Sequence, residues 1–285
     1  MSIKKVGVLG AGAMGTGIAQ VAAQAGYQVV LGDLEMAFVE KSVANIGKLL
    51  DKNVEKGKMT AEQKDAIMGR FTLTTNIDDF AGVDYFIEAI IEDLEIKKST
   101  LAKVDKVLKP GAIMATNTSS MSITVLGSAT NRPEQFVGMH FFNPVPVMRL
   151  CEIIRGYKTS DETVKVASEL AQSFGKTTVE VKKDTPGFIV NRVMMPQFLE
   201  AIRLVEEGVA TPQDIDTAVT LGLNYPMGPF TLMDFTGIDI SKFVLDYFYN
   251  ETKNPFWAPP FTLKSIINAG KLGRKTGAGW YDYSK

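Results

Sequence analysis

One histidine, His140, and a glutamate twelve residues later, Glu152, are the side chains of this sequence best suited to proton chemistry. Imidazole is the side chain whose charge ordinarily changes near neutral pH. A carboxylate that accepts a hydrogen bond from one ring nitrogen fixes the tautomer, so the other nitrogen can take a proton from a bound molecule. The pair therefore predicts acid and base catalysis if folding brings the two together. Without that partner, a structural histidine is an equally good interpretation.

A glycine-rich segment near the N-terminus predicts a phosphate-binding loop. Residues 10–15 read GAGAMG, directly after the apolar run Val6–Leu9 and before an alanine-rich helical pattern that stops near Gly26. Gly10 allows a tight turn, Gly12 lets the backbone approach a pyrophosphate, and Gly15 permits close packing of the helix. The N-terminus of that helix offers N–H groups to the phosphate charge. The arrangement is typical of dinucleotide binding.

Asp33 supports the same interpretation. It follows a second apolar run, Gln28–Leu31, about 20 residues beyond the loop, where a carboxylate can bind the ribose hydroxyls of a dinucleotide. The same carboxylate would repel a 2′-phosphate, so we expect NAD rather than NADP. The alternative is that the glycines only form a turn and Asp33 only caps the next helix, but strand, loop, helix, strand and acid occurring in order favour the dinucleotide.

The elements around these residues predict two domains. Six short runs rich in β-branched residues alternate with helical patterns: KVGVLG, QVVLGD, FTLTT, VDYFIEAI, AIMATNT and QFVGMHF. This alternation indicates an α/β domain with a Rossmann-type, doubly wound and mainly parallel sheet. Beyond Lys182 the apolar spacing is near 3.6 residues, which indicates an all-α domain. We place the domains at 1–183 and 184–285, and expect Pro196 to kink the first long helix.

The predicted topology places further polar residues beside the glycine loop. Ligands of doubly wound sheets bind beyond the carboxyl ends of the strands. The segment Asn117–Ser120 follows one predicted strand, and His140 ends another. After His140 the chain passes two prolines and returns as LCEII, which suggests a hairpin-like reversal that lets Glu152 face His140.

Composition narrows the class of protein. The 31 Lys and Arg residues almost balance the 32 Asp and Glu residues, so no global field favours nucleic acid or a membrane surface. A single cysteine, Cys151, excludes an intrachain disulfide and fits a reducing compartment. We find neither a signal peptide nor an apolar run of about 18 residues, and we expect a cytoplasmic protein. One histidine and one cysteine also make a metal centre unexpected.

Several segments together resemble one family, the L-3-hydroxyacyl-CoA dehydrogenases, and most closely the short bacterial 3-hydroxybutyryl-CoA dehydrogenases. The resemblance covers essentially the full length. The segments on which it rests are VLGAGAMGTGIAQVAA, EAIIEDLEIKK, NTSSMSIT, GMHFFNPVPVMRLCEII, DTPGFIVNR and GRKTGAGWYDY. It implies an NAD-dependent enzyme that acts on acyl-CoA substrates and forms a homodimer through its helical domain.

The resemblance also implies roles for individual residues. His140 matches the catalytic base and Glu152 its carboxylate partner. Ser119 matches the serine that contacts the substrate 3-hydroxyl, and Asn191 the asparagine at the reacting oxygen. Asn143 is expected at the nicotinamide end of the site. The remaining cofactor positions fall on Gly10, Gly12, Gly15, Asp33, Glu92, Lys97 and Lys275.

Some of these residues also have structural interpretations. Ser119 and Asn191 could be helix-capping or backbone-bonding residues, and Lys97 and Lys275 could be solvated charges. Lys48, Lys52 and Lys56 recur every four residues, so they share one helix face. Such stripes are often only solvated, but coenzyme A carries phosphates, so Lys52 and Lys56 are candidates for binding it.

The sequence therefore predicts reversible, NAD-dependent oxidation of a short (3S)-3-hydroxyacyl-CoA, such as 3-hydroxybutyryl-CoA, to the 3-oxoacyl-CoA. One alternative keeps the scaffold and changes the substrate, because the L-gulonate dehydrogenases, which resemble lens lambda-crystallin, share these motifs. A second alternative is a dinucleotide-responsive binding protein without turnover. The set of His140, Glu152, Ser119 and Asn191 argues against it, since a sensor needs only the glycine loop.

Overall fold

The computed structural model describes residues 3–284, and the chain divides into two units, Met1–Thr185 and Pro186–Lys285. The first unit contains β1 Lys5–Leu9, β2 Gln28–Gly32, β3 Phe71–Thr74, β4 Tyr85–Glu88, β5 Ile113–Thr116, β6 Phe136–Phe141, β7 Leu150–Ile154 and β8 Thr177–Val181. These strands form one sheet in the order β3-β2-β1-β4-β5-β6-β7-β8.

The sheet is parallel except at one pair of strands. Its helices are α1 Ala13–Gln24, α2 Met36–Glu55, α3 Ala61–Met68, α4 Leu94–Val107, α5 Ile123–Gly127 and α6 Asp161–Ser173. The exception is β7, which runs antiparallel to β6, whereas β8 is again parallel to β7. The doubly wound, mainly parallel sheet that the sequence predicts is confirmed, and so is the reversal after His140.

The central strands explain why the sequence shows continuous apolar runs. Every residue of β4, β5 and β6 is buried. Strands of a parallel sheet covered by helices on both faces lose the alternation of apolar and polar residues. A charged residue within such a strand is therefore an informative exception, and Glu88, the last residue of β4, is one.

One strand, β8, is absent from the sequence prediction. Its residues read TTVEV, and Thr177, Val179 and Glu180 are exposed. The strand lies at the end of the sheet order, and edge strands usually carry polar side chains. The apolar signal that identifies the central strands is therefore weak here.

The second unit is helical, as predicted. It contains α7 Val190–Glu206, α8 Pro212–Leu223, α9 Pro229–Thr236, α10 Ile238–Thr252 and α11 Phe261–Asn268. Pro196 lies inside α7. The core of the unit includes Phe230, Phe248 and Trp257, and the rings of Phe248 and Trp257 meet edge to face at 5.0 Å. Over residues 3–284, no helix has the length and apolar character needed to cross a bilayer.

Candidate active site

Two positions of the glycine loop between β1 and α1 have no room for a Cβ. Gly10 has a φ of +109°, and a Cβ there would lie 2.3 Å from the carbonyl oxygen of Ala89. A Cβ at Gly15 would lie 1.7 Å from the carbonyl oxygen of Gly10. Both distances are far below van der Waals contact. The first and third glycines of the motif therefore allow the turn itself and the packing of α1 against it.

Gly12 differs from the other two glycines. A Cβ at Gly12 would meet no atom within 4 Å, so packing within the protein does not require glycine at this position. Gly12 is the N-cap of α1, which has no side-chain cap and no acidic residue in its first turn. The first N–H groups of the helix and its dipole thus favour an anion beside an open backbone. This arrangement fits the pyrophosphate of a dinucleotide.

Asp33 lies beside the same loop, one residue beyond β2. Its Oδ2 accepts a hydrogen bond from the backbone N–H of Ala11 at 2.6 Å, and its Oδ1 accepts one from Leu34 N–H at 2.7 Å. An ionised carboxylate has about four lone-pair positions, so two such bonds leave acceptor capacity for ribose hydroxyls. The residues present therefore fit NAD at both its phosphates and its ribose.

A buried cluster of charges lies at the carboxyl ends of β4 and β5. The ammonium of Lys97 lies 2.6 Å from Glu88 Oε1 and 3.3 Å from Glu92 Oε2. Glu88 also accepts hydrogen bonds from Ile90 N–H at 2.7 Å and from the hydroxyl of Thr116 at 2.6 Å. Lys97 is 1% exposed and Glu88 is fully buried. Lys97 is therefore not a solvated charge, because two carboxylates hold its ammonium.

Sequence reasoning included Lys97 and Glu92 in the site but missed Glu88 and Thr116. A signal for Glu88 was available, because it ends an otherwise apolar run, YFIE. A carboxylate in such a run needs a buried partner, since an unpaired buried charge is strongly unfavourable. The identity of that partner depends on the packing of α4 against the sheet, which the local sequence does not specify.

Glu92 links this cluster to Ser119. Its Oε1 accepts hydrogen bonds from the backbone N–H of Ser119 at 2.7 Å, from the Ser119 hydroxyl at 3.2 Å and from the Thr118 hydroxyl at 3.1 Å. Three donors on one carboxylate oxygen fix the loop that follows β5. The side chain of Ser119 is consequently oriented by Glu92, and Glu92 in turn by Lys97.

The register of β6 and β7 places His140 directly opposite Glu152. The distance from His140 Nδ1 to Glu152 Oε2 is 2.7 Å, and the residues are 6% and 1% exposed. The ring of Phe142 lies 4.4 Å from the imidazole, between centroids. A carboxylate on Nδ1 makes that nitrogen the donor, so proton exchange with another molecule must use Nε2. His140 and Glu152 thus have the geometry that a catalytic acid–base pair requires.

Asn143 lies on the loop that joins β6 to β7 and is exposed. A second asparagine ties this region to the neighbouring strand, because Asn117 Oδ1 accepts a hydrogen bond from the backbone N–H of Phe141 at 3.0 Å. The carboxyl ends of β1, β4, β5 and β6, which are neighbours in the sheet, thus carry the glycine loop, the charge cluster, Ser119 and His140 along one edge.

The other four predicted residues are at the end of α2 and in the second unit. Lys52 is in the last turn of α2 and Lys56 caps that helix, and both are exposed. Asn191 is in the first turn of α7, in the second unit. Lys275 is exposed in the same unit, where its ammonium contacts both carboxylate oxygens of Asp239 at 2.6 and 2.7 Å.

The single cysteine lies in surroundings that do not suit nucleophilic chemistry. Cys151 is fully buried, and burial raises the pKa of its thiol far above the ordinary value. The thiol is therefore protonated and not nucleophilic near neutral pH. Among the described residues, no group of three or more His, Cys, Asp or Glu side chains could hold a metal ion.

The dinucleotide-binding loop, with a buried imidazole and carboxylate at the same sheet edge, defines an NAD-dependent oxidoreductase. Family models identify it further. Residues 5–185 match the NAD binding domain of 3-hydroxyacyl-CoA dehydrogenase, and residues 187–283 match the C-terminal domain of 3-hydroxyacyl-CoA dehydrogenase. The chain belongs to this family, which confirms the resemblance seen in the sequence.

Individual relatives are similar to this chain over essentially its full length. A probable 3-hydroxybutyryl-CoA dehydrogenase of Deinococcus radiodurans is 46% identical, covering 98% of this chain and 100% of the relative. A 3-hydroxybutyryl-CoA dehydrogenase of Clostridioides difficile is 41% identical, with 99% and 100% covered. The crystal structure of (S)-3-hydroxybutyryl-CoA dehydrogenase from Ralstonia eutropha superposes with a TM-score of 0.96 at 43% identity, covering both chains completely.

Two glycine substitutions should separate folding of the loop from cofactor binding. Gly15→Ala should lower Tm and weaken NADH binding together, because its Cβ collides with the Gly10 carbonyl. Gly12→Ala should leave Tm nearly unchanged, since the space is open and its φ of −69° suits alanine, yet weaken NADH binding by roughly tenfold, about 1.4 kcal/mol. Thermal unfolding and NADH fluorescence titration measure the two effects.

Gly82→Ala is the matched control, because Gly82 is exposed and its nearest neighbour is the flexible end of Lys5 at 4.0 Å. Gly82→Ala should change neither Tm nor the affinity for NADH. Unaltered NADH affinity in Gly12→Ala would show that the phosphates bind elsewhere.

Proposed function

We propose that this protein catalyses the reversible, NAD-dependent oxidation of (3S)-3-hydroxybutyryl-CoA to acetoacetyl-CoA. The observation that carries the proposal is the buried His140 and Glu152 pair, 2.7 Å apart, on the sheet edge that also holds the glycine loop. The names of the full-length relatives support the substrate. Among residues 3–284, no specific feature favours a sugar acid.

His140 acts as the base in oxidation and as the acid in reduction. Bound NAD supplies the hydride acceptor, C4 of the nicotinamide. Nε2 of His140 accepts the proton of the substrate 3-hydroxyl, while Nδ1–H continues to donate to Glu152. The imidazolium formed in this way faces a carboxylate within hydrogen-bonding distance, in surroundings that exclude most water, where the attraction is strong. In reduction the same imidazolium returns the proton to the ketone oxygen.

Ser119 and Asn191 position the oxygen that gains or loses this proton. Ser119 has two donors directed at Glu92, its backbone N–H at 2.7 Å and its hydroxyl at 3.2 Å. The hydroxyl can turn toward a substrate oxygen while the backbone N–H keeps the loop fixed. Asn191 supplies a side-chain amide from the first turn of α7. Donors placed in advance where charge develops stabilise the transition state.

We propose that Asp33 binds the ribose of NAD and that Glu92, Lys97, Asn143 and Lys275 are further cofactor-binding residues. We also infer a homodimer formed through the helical unit, supported by the exposed side chains of Leu221, Leu223 and Phe235, which are 82%, 61% and 50% accessible. Sedimentation velocity measures the mass of the assembly and so distinguishes a dimer from a monomer. A single buried cysteine fits a cytoplasmic location.

The direct test follows NADH absorbance with acetoacetyl-CoA as substrate. We expect rapid, saturable oxidation of NADH, and in the opposite direction reduction of NAD by (3S)-3-hydroxybutyryl-CoA. L-gulonate with NAD is the comparison. A higher kcat/KM for L-gulonate would replace the acyl-CoA proposal. NADH binding without turnover of any of these substrates would favour a binding protein.

The catalytic pair makes a sharper prediction. His140→Gln should keep the fold and NADH affinity but lower kcat by roughly 10²–10⁴-fold, the usual contribution of a positioned acid or base. Glu152→Gln keeps the shape and removes the charge that stabilises imidazolium, so kcat should also fall. Because the residues act as a unit, the double variant should lose less than the product of the two single losses.

Glu169→Gln, an exposed glutamate on α6, is the control for removing one carboxylate charge and should leave kcat unchanged. Independent multiplication of the His140 and Glu152 losses would remove Glu152 from the mechanism. A large fall in Tm with little loss of turnover would make His140 a structural residue.

The basic stripe on α2 predicts how coenzyme A is bound. Lys52 and Lys56 are four residues apart, so their ammonium groups repel one another. Lys52 is in the last turn of α2, where the helix dipole partly offsets this repulsion. If both ammonium groups bind phosphates, Lys52→Ala with Lys56→Ala should raise KM for acetoacetyl-CoA several-fold and reduce its dependence on salt. KM for NADH should stay the same. Steady-state kinetics at two ionic strengths measure this.

Lys103→Ala with Lys106→Ala is the matched control, because both lysines are exposed on α4 and the net charge changes equally. If the two double variants behave alike, the effect belongs to overall charge and not to a phosphate site.

A further inference from the structure

Lys176, the residue before β8, is a buried cation without a carboxylate partner in the described part of the chain. It is 7% exposed, and its ammonium donates to two backbone carbonyls, those of Val145 and Met148, the latter at 2.9 Å. Burial lowers the pKa of Lys176. Lysine is almost never buried unless it is paired, because desolvating an ammonium is unfavourable. A neutral residue would fill this position more easily, so the charge calls for an explanation.

The two carbonyls belong to the loop 142–149, which joins β6 to β7. This loop therefore connects His140 to Glu152, and it carries Asn143. Its own backbone closes on Pro144, whose carbonyl accepts hydrogen bonds from Val147 N–H at 2.9 Å and Met148 N–H at 3.0 Å. The carbonyls of Val145 and Met148, in the same turn, accept their hydrogen bonds from the ammonium of Lys176.

The same loop packs on the helix of the glycine loop. Val145 is 1% exposed, and a Cβ at Gly17 of α1 would lie 2.8 Å from the Cβ of Val145 and 3.4 Å from Cδ of Pro146. The loop is thus held between α1 on one side and Lys176 on the other. Any movement of the loop displaces Asn143 relative to the dinucleotide-binding loop.

We propose that Lys176 is a positioning residue for the nicotinamide end of the site, acting by fixing the loop that carries Asn143. The ammonium reaches two carbonyls on different residues, which a hydroxyl or a methyl group cannot do. A charged donor also forms stronger hydrogen bonds than a neutral one. The inference rests on the proposed function for the role of Asn143, but the position of the loop can be tested by NADH binding alone.

The decisive variant is Lys176→Met, which retains the apolar stem and removes the donors. In Lys176→Met, Kd for NADH should rise roughly tenfold and kcat with acetoacetyl-CoA should fall, whereas KM for acetoacetyl-CoA should change little. Lys176→Arg, which keeps a charged donor, should recover part of the loss. The matched control is Lys165→Met, because Lys165 is exposed on α6. This variant should have the same Kd for NADH and the same kcat as the wild type.

A double variant separates positioning from a general loss of stability. If Lys176 acts through Asn143, then Asn143→Ala should raise Kd for NADH, and adding Lys176→Met should raise it little further. A lower Tm with unchanged NADH affinity and kcat would overturn the proposal, as would losses that simply multiply. Should Lys176→Met fail to fold, the same NADH titration is made with Lys176→Gln, which replaces the ammonium by a shorter, neutral amide, and Kd should again rise. Failure of the wild type to reduce acetoacetyl-CoA refutes the proposed function but leaves the NADH result valid for Lys176.

Discussion

The antiparallel pairing of β6 with β7 is the constraint on which the candidate site depends. All other paired strands of the sheet are parallel, and a parallel continuation would carry the chain away from His140 through a long crossover. The reversal instead returns it within a short loop and sets Glu152 opposite the imidazole. Side chains alternate between the two faces of a strand, so a shift of one residue in this register would move Glu152 to the other face.

That register is maintained from several directions. The loop between the two strands closes on Pro144 and is bound by Lys176. On its far side β7 pairs with β8 over five residues, Leu150–Ile154 with Thr177–Val181. The backbone N–H of Thr177 also donates to the carbonyl of Arg149 at 2.7 Å. An edge strand that the sequence barely signals is therefore important to the site, because it holds the strand that presents the carboxylate.

The sequence predicts best what depends on local pattern. The glycine loop, Asp33, the six apolar strands and the return of the chain to Glu152 all follow from residue order, since turn chemistry and strand periodicity act over short distances. Partners that come from distant segments do not follow. Glu88 needs Lys97 and Thr116 from two other elements, and Lys176 needs carbonyls about 30 residues away in sequence, which no short-range rule indicates. The strand β8 was missed for a related reason, because its polar edge lacks the apolar pattern.

Charge in this protein is balanced locally. The formal net charge is −1, yet the first unit buries Glu88, Lys97, Glu152 and Lys176. Each has its own buried partners: carboxylates with an ammonium or imidazole, and an ammonium with carbonyls. Removing one partner from a buried pair typically costs about 3–5 kcal/mol, so these groups must be present together. In the proposed chemistry, transfer of a proton to His140 turns a neutral ring beside a carboxylate into an ion pair. The imidazolium and the Glu152 carboxylate carry opposite charges, so the proposed proton transfer leaves the buried pair with no net charge.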